Sequence, residues 1–308
     1  MKLVYCGTPE FAVGTLEAVI AAGHDVQLVV TQPDRAAGRG MELQIGAVKG
    51  AALRHGLPVV QPEKIRKNQE LREQLEAIAP DAILVVAYGR IIPDWMLALP
   101  KFGCINLHGS LLPKYRGAAP IQWAVANGDT KTGVTTMLLD AGLDTGPMLL
   151  AEVVPIAPEE TSADLFESLA EIGSKLMVKT LAGLECGTVS PVEQDHTQAT
   201  LAPILTRDDA RMDFSRTATN LLNRWRGFQP WPGAFTILRG KKLIVHRMKI
   251  AHGEGEQGVL QVDGERLLVG CGGSLLELLE VQMEGKKRMA ASDFLRGFQV
   301  KTGERVGQ

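Results

Sequence analysis

The stretch Gly103-Cys104-Ile105-Asn106-Leu107-His108-Gly109-Ser110-Leu111-Leu112-Pro113 decides the fold. Its first part, Gly103–Leu107, is near-continuously apolar, as a central strand of a parallel sheet should be. Asn106 and His108 stand where this strand ends, and open α/β sheets bind ligands outside the carboxyl ends of their strands. The stretch therefore predicts a parallel sheet with a functional site at its carboxyl edge.

The chain on both sides of this strand alternates strand and helix patterns. Thr8 and Pro9 open a helical pattern that Gly23 ends, and Thr161 with Asp164 opens a longer helix. The further apolar runs that predict strands are Lys2–Cys6, Gln27–Val30, Ala82–Ala87, Val134–Leu139 and Leu149–Val154. This alternation is typical of an α/β fold, with an open, mostly parallel, Rossmann-like sheet and helices on both faces.

The pattern changes after residue 184. Residues 185–206 are polar and interrupted by Gly and Pro, which predicts a linker packed along the surface. Residues 207–308 contain one helical segment, about Ser215–Arg226, followed by short strand-like runs separated by glycines. These runs predict a small, mainly antiparallel, OB-like β-barrel. We therefore expect domains at 1–184 and 207–308, joined by the linker.

Charge is distributed unevenly between the two halves. Residues 1–206 contain 16 Lys and Arg against 23 Asp and Glu, whereas residues 207–308 contain 17 against 12. A basic module attached to an acidic one suggests that the second half meets a polyanion, although a solvated surface explains it equally well. The four cysteines form no CxxC pair, and no apolar run approaches the roughly 20 residues of a membrane span. We expect a soluble cytoplasmic protein.

Three polar residues predict the chemistry. Asn106 and His108 are two apart, so their side chains project to the same face of an extended strand. Asp144 lies in a glycine-flanked loop, Asp140–Gly146, after another strand, and at that edge it can reach and orient His108. An amide, an imidazole and a carboxylate without a Ser or Cys nucleophile suggest acyl transfer directly to an external amine. The alternatives are a hydrogen-bonded core pair and an ordinary turn aspartate.

The motifs resemble those of the folate-dependent formyltransferase superfamily. The resemblance rests on Asn106-x-His108 with Ser110–Pro113, on Arg116-Gly117-Ala118-Ala119-Pro120-Ile121, and on Asp144. It implies Asn106, His108 and Asp144 as catalytic residues and 10-formyltetrahydrofolate as the co-substrate, with no metal. The folate-binding residues that it implies are Tyr88, Gly89, Arg90, Ile91, Ile92, Ser110, Leu111, Leu112, Pro113 and Asp140.

Three further features resemble the methionyl-tRNA formyltransferase branch over nearly the whole chain. They are the loop Thr31–Gly40 with Val48-Lys49, the junction Thr206–Phe214, and Pro230–Ala234 with Gly285-Lys286-Lys287. The branch implies initiator methionyl-tRNA as the partner and a role in translation initiation. The tRNA-binding residues that it implies are Arg35, Arg39, Lys49 and Arg207. Met41, Glu42 and Ile204 stand where the family usually or often has lysines, which predicts weaker phosphate contacts.

Other functions remain as alternatives. Formylation of an amino sugar nucleotide is disfavoured by the Ala37–Gly40 loop and the basic C-terminal half, and a non-catalytic RNA-binding protein has no use for Asn106, His108 and Asp144 together. A nicotinamide dehydrogenase is disfavoured because Gly7 is not followed by the second and third glycines that let a backbone approach a pyrophosphate. We expect a monomer that releases tetrahydrofolate.

Overall fold

The computed structural model describes residues 1–37 and 42–307. The chain forms two compact units, each continuous in space but not in sequence. The first consists of Met1–Pro120, Lys131–Pro155 and Leu165–Pro203. The second consists of Ile121–Thr130, Ile156–Asp164 and the chain from Ile204 onward. Two internal segments therefore belong with the C-terminal unit, and the expected linker belongs with the first unit as far as Pro203.

The first unit is built on a seven-stranded sheet. Its strands run in the order β5-β2-β1-β6-β7-β8-β9, parallel up to β7 and antiparallel from β7 to β9. A short hairpin, β3–β4, lies apart from this sheet. The strands of this unit are β1 (Lys2–Gly7), β2 (Asp25–Val30), β3 (Arg35–Ala37), β4 (Glu42–Gln44), β5 (Val59–Val60), β6 (Ala82–Val86), β7 (Cys104–His108), β8 (Lys131–Leu138) and β9 (Met148–Pro155).

The central strands are apolar on both faces because both faces are covered. On β1, Val4 belongs to a core cluster with Leu71 and Leu75 of a helix, while Leu3 and Tyr5, on the other face, are fully buried as well.

The α-helices are α1 (Val13–Ala21), α2 (Ala47–Arg54), α3 (Gln69–Ile78), α4 (Asp94–Leu97), α5 (Pro120–Ala126), α6 (Ser162–Glu185), α7 (Ala218–Gly227) and α8 (Ala291–Phe298). The predicted α/β class with a mostly parallel sheet is confirmed. No helix in the described ranges has the length and apolarity of a membrane span.

The second unit carries an antiparallel sheet in the order β10-β11-β14-β13-β12, with β15 paired to β14. Near the end of the chain, Val306 bridges to Leu238 of one edge strand, and the N–H of Leu260 on the other edge strand donates to the carbonyl of Glu304. The final segment thus joins both edges, as closure of a barrel requires. The strands are β10 (Phe235–Leu238), β11 (Lys241–Ala251), β12 (Leu260–Asp263), β13 (Arg266–Cys271), β14 (Ser274–Met283) and β15 (Met289–Ala290).

Two helix starts differ from the sequence prediction. Thr8 does not cap the first helix, because a 3₁₀ turn with Pro9 at its N-cap precedes α1 and the Thr8 hydroxyl accepts from the N–H of Gln32 instead. The predicted helix 215–226 begins at Ala218, where the side chain of Thr217 caps it. By contrast, Thr161 and Asp164 form the expected reciprocal cap of α6, with Asp164 accepting from the Thr161 N–H at 2.9 Å.

Candidate active site

The imidazole of His108 lies at the carboxyl end of β7 and is almost entirely buried. Its Nε2 is 2.9 Å from the carbonyl oxygen of Tyr115. Its Nδ1 is 3.7 Å from Oδ2 of Asp144. A carbonyl oxygen can only accept a hydrogen bond, so Nε2 carries the hydrogen, and the lone pair of the neutral ring is on Nδ1. The basic nitrogen of His108 therefore faces a carboxylate.

Asp144 is held by backbone geometry in the loop after β8. Asp140 folds this loop, because its carboxylate accepts from the N–H of Gly142 and the hydroxyl of Thr145. Asp144 itself adopts a left-handed conformation, with φ of +52°. Its Oδ2 accepts from the N–H of Gly117 at 2.7 Å. A non-glycine residue in this region is strained, and such residues cluster at functional sites.

Asn106 lies two residues before His108 on β7. Its backbone is paired with Val85 of β6 and Met137 of β8, so the position of its Cα is fixed on both sides. Its side chain is half-buried, and within the described part of the chain no hydrogen bond to its amide is found. The amide is thus available to a ligand at the same strand end as His108.

The segment Ser110–Pro113 forms a turn next to His108. Ser110 is fully buried, and its hydroxyl donates to the carbonyl of Lys114 at 2.6 Å, which is a bond within the turn. The hydroxyl of Thr135 donates to the carbonyl of Ser110 and ties the turn to β8. Leu111 and Pro113 are half-buried and Leu112 is buried. The apolar side chains, rather than the serine hydroxyl, are left to contact a ligand.

The segment Tyr88–Ile92 follows β6 at the same edge of the sheet. Tyr88 is 1 % exposed, and burial is the main cause that raises the pKa of its phenol to about 12. Gly89 has a φ of +73°, and Ile91 is 89 % exposed. A nearly free isoleucine beside a strand end is an apolar contact available to a flat ligand. Arg90 is bound to the carbonyl of Glu63.

The four residues with an expected tRNA contact differ in their surroundings. The Nζ of Lys49 is 2.5 Å from Oδ2 of Asp34 and 2.6 Å from Oε1 of Gln61, so this cation is already bound within the protein. Arg35 is on β3, at the base of the hairpin, and Arg39 lies outside the described residues. Arg207 is exposed, and no ion pair to it occurs in residues 1–37 and 42–307.

A buried pair that the sequence analysis did not identify supports the site. Gln194 is 4 % exposed and Arg116 is 7 % exposed, and the amide oxygen of Gln194 accepts two hydrogen bonds from the guanidinium. Gln194 belongs to the segment predicted to be a surface linker. One glutamine in a polar stretch gives no local signal of burial. Within the described ranges no group of His, Cys, Asp and Glu has the arrangement of a metal site.

The class of the protein follows from family models that match both parts of the chain. The family model for formyl transferase matches residues 1–181, and the model for the formyl transferase C-terminal domain matches residues 204–299. The N-formyltransferase from Helicobacter canadensis, solved with folinic acid and dTDP-3-aminofucose, shares the fold with a TM-score of 0.64 at 18 % identity, over 92 % of this chain and 99 % of that one.

Relatives with higher sequence identity show which family of this class the chain belongs to. The methionyl-tRNA formyltransferase of Acidobacterium capsulatum is 64 % identical over 100 % of both chains. That of Koribacter versatilis is 59 % identical over 100 % of this chain and 99 % of its own. The chain belongs to the methionyl-tRNA formyltransferase family.

Proposed function

We propose that this protein transfers the formyl group of 10-formyltetrahydrofolate to the α-amino group of methionine on initiator methionyl-tRNA. The observation that carries the proposal is the pairing of His108 with Asp144 at the carboxyl end of β7, beside the amide of Asn106, for which the described residues provide no hydrogen-bond partner. Full-length relatives named methionyl-tRNA formyltransferase support the choice of acceptor. The protein would act in translation initiation, in the cytoplasm and as a monomer, and would release tetrahydrofolate.

His108 is the proposed general base. The neutral amine attacks the formyl carbon, forming a new C–N bond and placing negative charge on the formyl oxygen. The amine then loses its proton to Nδ1 of His108, and Asp144, 3.7 Å away, stabilises the imidazolium. When the carbon–N10 bond breaks, the electron pair goes to the folate nitrogen, which takes a proton from the imidazolium. The formyl amide and tetrahydrofolate leave, and His108 returns to its neutral form.

Asn106 is the proposed donor to the formyl oxygen. Charge develops on this oxygen only as the amine attacks, so a fixed N–H donor stabilises the transition state more than the bound substrate. The side chain fits this role because its backbone is clamped between β6 and β8 while its amide has no partner in the described part of the protein. An amide that had to break another bond first would contribute less.

The folate is proposed to lie along the same sheet edge. Tyr88–Ile92 would form one side of an apolar slot, and Leu111–Pro113 would wall the end that bears the formyl group. The exposed side chain of Ile91 and the half-buried Leu111 support this assignment. Ser110 and Asp140 would act on the folate indirectly, because their side-chain oxygens already hold the turn and the loop in shape.

The tRNA is proposed to contact two parts of the chain, the loop after β2 and the basic part 207–308. Arg35 and Arg39 of the loop after β2, together with Arg207 in the basic part 207–308, would contact phosphates, while residues 1–184 bind the folate. Lys49 differs, since its ammonium is occupied by Asp34 and Gln61. We assign it to the base of the loop, where it would support tRNA binding without contacting a phosphate.

The proposal is tested by supplying 10-formyltetrahydrofolate labelled in the formyl group and following the label. We expect it on the methionine of charged initiator tRNA, and not on a dTDP-amino sugar or on uncharged tRNA. His108→Ala serves as the inactive control. Label on the amino sugar nucleotide in place of methionyl-tRNA would overturn the proposed acceptor.

A further inference from the structure

The side-chain amide of Gln194 is hydrogen-bonded to the backbone of the loop Asp140–Gly146, which carries Asp144. Its Nε2 donates to the carbonyl oxygen of Asp144 at 2.9 Å and to that of Gly146 at 2.7 Å. These two bonds use both N–H groups of the side chain. The main chain on either side of Thr145 is thereby fixed to a residue that is far away in sequence and 4 % exposed.

The oxygen of the same amide is fully used as well. Oε1 of Gln194 accepts from Nε of Arg116 at 3.1 Å and from Nη2 at 2.6 Å, and Nη2 also lies 2.9 Å from Nδ1 of His196. A flipped amide would set its oxygen against two carbonyls and its NH₂ against a guanidinium. The orientation of Gln194 is therefore fixed by its partners, with donors toward the loop and the acceptor toward Arg116.

Arg116 connects this amide to the other half of the site. It stands between Tyr115, whose carbonyl accepts from His108, and Gly117, whose N–H holds the carboxylate of Asp144. Its own backbone is paired with the segment that carries Gln194, through bonds to Thr200 at 2.8 Å and Ala202 at 2.7 Å. One buried link thus runs from the turn that positions His108 to the loop that positions Asp144.

We infer that Gln194 is a positioning residue that sets the carboxylate of Asp144 against Nδ1 of His108. Asp144 has a left-handed backbone, and Gln194 binds the carbonyl of that same residue. Without the two bonds to the loop, Asp144 keeps the bond from Gly117 to its carboxylate but loses the bond to its own carbonyl, so we expect the strained backbone to relax and the carboxylate to shift relative to the imidazole. The inference rests on the proposed function, because it requires that Asp144 act through His108 in formyl transfer.

The test is Gln194→Glu, which keeps the size of the side chain and an acceptor for Arg116 but directs an oxygen at two carbonyls. We expect kcat for formyl transfer to fall about 10²-fold, as for a catalytic group displaced by about 1 Å. KM for both substrates and the folate dissociation constant should stay near the wild-type values. Gln198→Glu is the matched control, since it makes the same charge change at an exposed position of the same segment.

A double-mutant cycle separates positioning from a general structural role. If Gln194 acts through Asp144, Gln194→Glu adds no further loss of kcat in an Asp144→Ala background. An equal loss in both backgrounds, or a normal kcat in the single variant, would overturn the inference. Gln194→Asn, which draws the amide back by one methylene, replaces Gln194→Glu if thermal melting shows that the latter is unfolded. Wild-type protein that formylates no methionyl-tRNA would instead refute the proposed function.

Discussion

Asp144 Oδ2 lies 3.7 Å from Nδ1 of His108, while the same oxygen accepts a 2.7 Å hydrogen bond from the backbone of Gly117. The carboxylate is thus held by the main chain and not by the imidazole that it faces. The hydrogen bond from Gly117 forms whether or not His108 carries a proton on Nδ1. A carboxylate fixed in this way stabilises a positive charge when it appears, without having to move first.

Asp144→Asn should lower kcat with little change in folate affinity. The amide oxygen can still accept from Gly117, so the loop keeps its shape, but the charge facing His108 is gone. Two unit charges about 4 Å apart interact by about 4 kcal/mol at an effective dielectric constant of about 20, which corresponds to a fall of about 10³ in kcat. Single-turnover formyl transfer measures it. A rate within about twofold of wild type would exclude an electrostatic role for Asp144.

Asn106→Ala should remove the proposed oxyanion donor. Loss of one such donor costs about 2.7–4 kcal/mol, or about 10²–10³ in kcat. Folate affinity should change much less, because the ground-state carbonyl gains less from the bond than the transition state does. Steady-state kcat, a folate binding titration and a thermal melt together separate lost catalysis from misfolding. Turnover at a near-normal rate would leave Asn106 a structural residue of β7.

The sequence was sufficient to predict the strand that carries Asn106 and His108, because continuous apolar runs and a polar strand end are local patterns. The sequence predicts the strand at Gly103–Leu107, and the structure has it at Cys104–His108. The sequence also predicts that Asp144 reaches His108, and the two side chains are 3.7 Å apart. The reason differs from the expected one, because β8 is antiparallel to β7 and ends beside the first residues of that strand. The contact therefore depends on the path of the loop after β8, whereas the strand of Asn106 and His108 follows from local sequence.

The supports of the site were not predictable in this way. Nothing local to Gln194 indicates that it is buried, since its partners Arg116 and Asp144 come from distant loops. Thr8 gave a helix-cap pattern, yet a tertiary partner, the backbone of Gln32, binds its hydroxyl. The family resemblance implies that Lys49 binds tRNA, and the occupation of its ammonium by Asp34 is a tertiary contact as well.

Glu277→Gln should destabilise the second unit at neutral pH. Glu277 is 6 % exposed and accepts from Nη2 of Arg266 at 2.7 Å, with Lys249 at 3.4 Å. The hydrogen bond from Arg266 is the main cause that lowers the pKa of this carboxyl. A hydrogen bond to a charged group contributes about 1.5–3 kcal/mol, and partial exposure of Arg266 favours the lower end.

The difference in stability between wild type and Glu277→Gln should disappear at acidic pH. The carboxyl of Glu277 has a lower pKa in the folded protein than in the unfolded chain, so its stabilisation is complete above the ordinary glutamate pKa. It is lost as the pH falls through the folded-state value. Melting temperatures of wild type and Glu277→Gln should therefore converge on acidification, while Glu254→Gln, at an exposed position, serves as the control. A constant difference across that pH range would contradict the ion-pair explanation.

Asp34→Asn and Lys49→Met should impair tRNA use by similar factors, because the two side chains form one ion pair. Their exposed fractions are 13 % and 21 %, and Gln61 joins them to the carbonyl of Gln32. If this cluster anchors the loop that carries Arg35 and Arg39, either change lowers kcat/KM for methionyl-tRNA, and the double variant is little worse than the single ones. Folate affinity should stay the same in all three.

The dependence of tRNA binding on salt distinguishes an anchor from a phosphate contact. A lysine that neutralises one phosphate contributes about 0.7–0.9 to the slope of log K against log salt concentration. An anchor contributes little, so the slopes of wild type, Asp34→Asn and Lys49→Met should agree. If Lys49 bound a phosphate instead, Lys49→Met would reduce the slope by nearly one unit, while Asp34→Asn, which frees the ammonium, would leave binding intact or strengthen it. Opposite effects of the two substitutions on tRNA binding would therefore show that Lys49 contacts the tRNA directly.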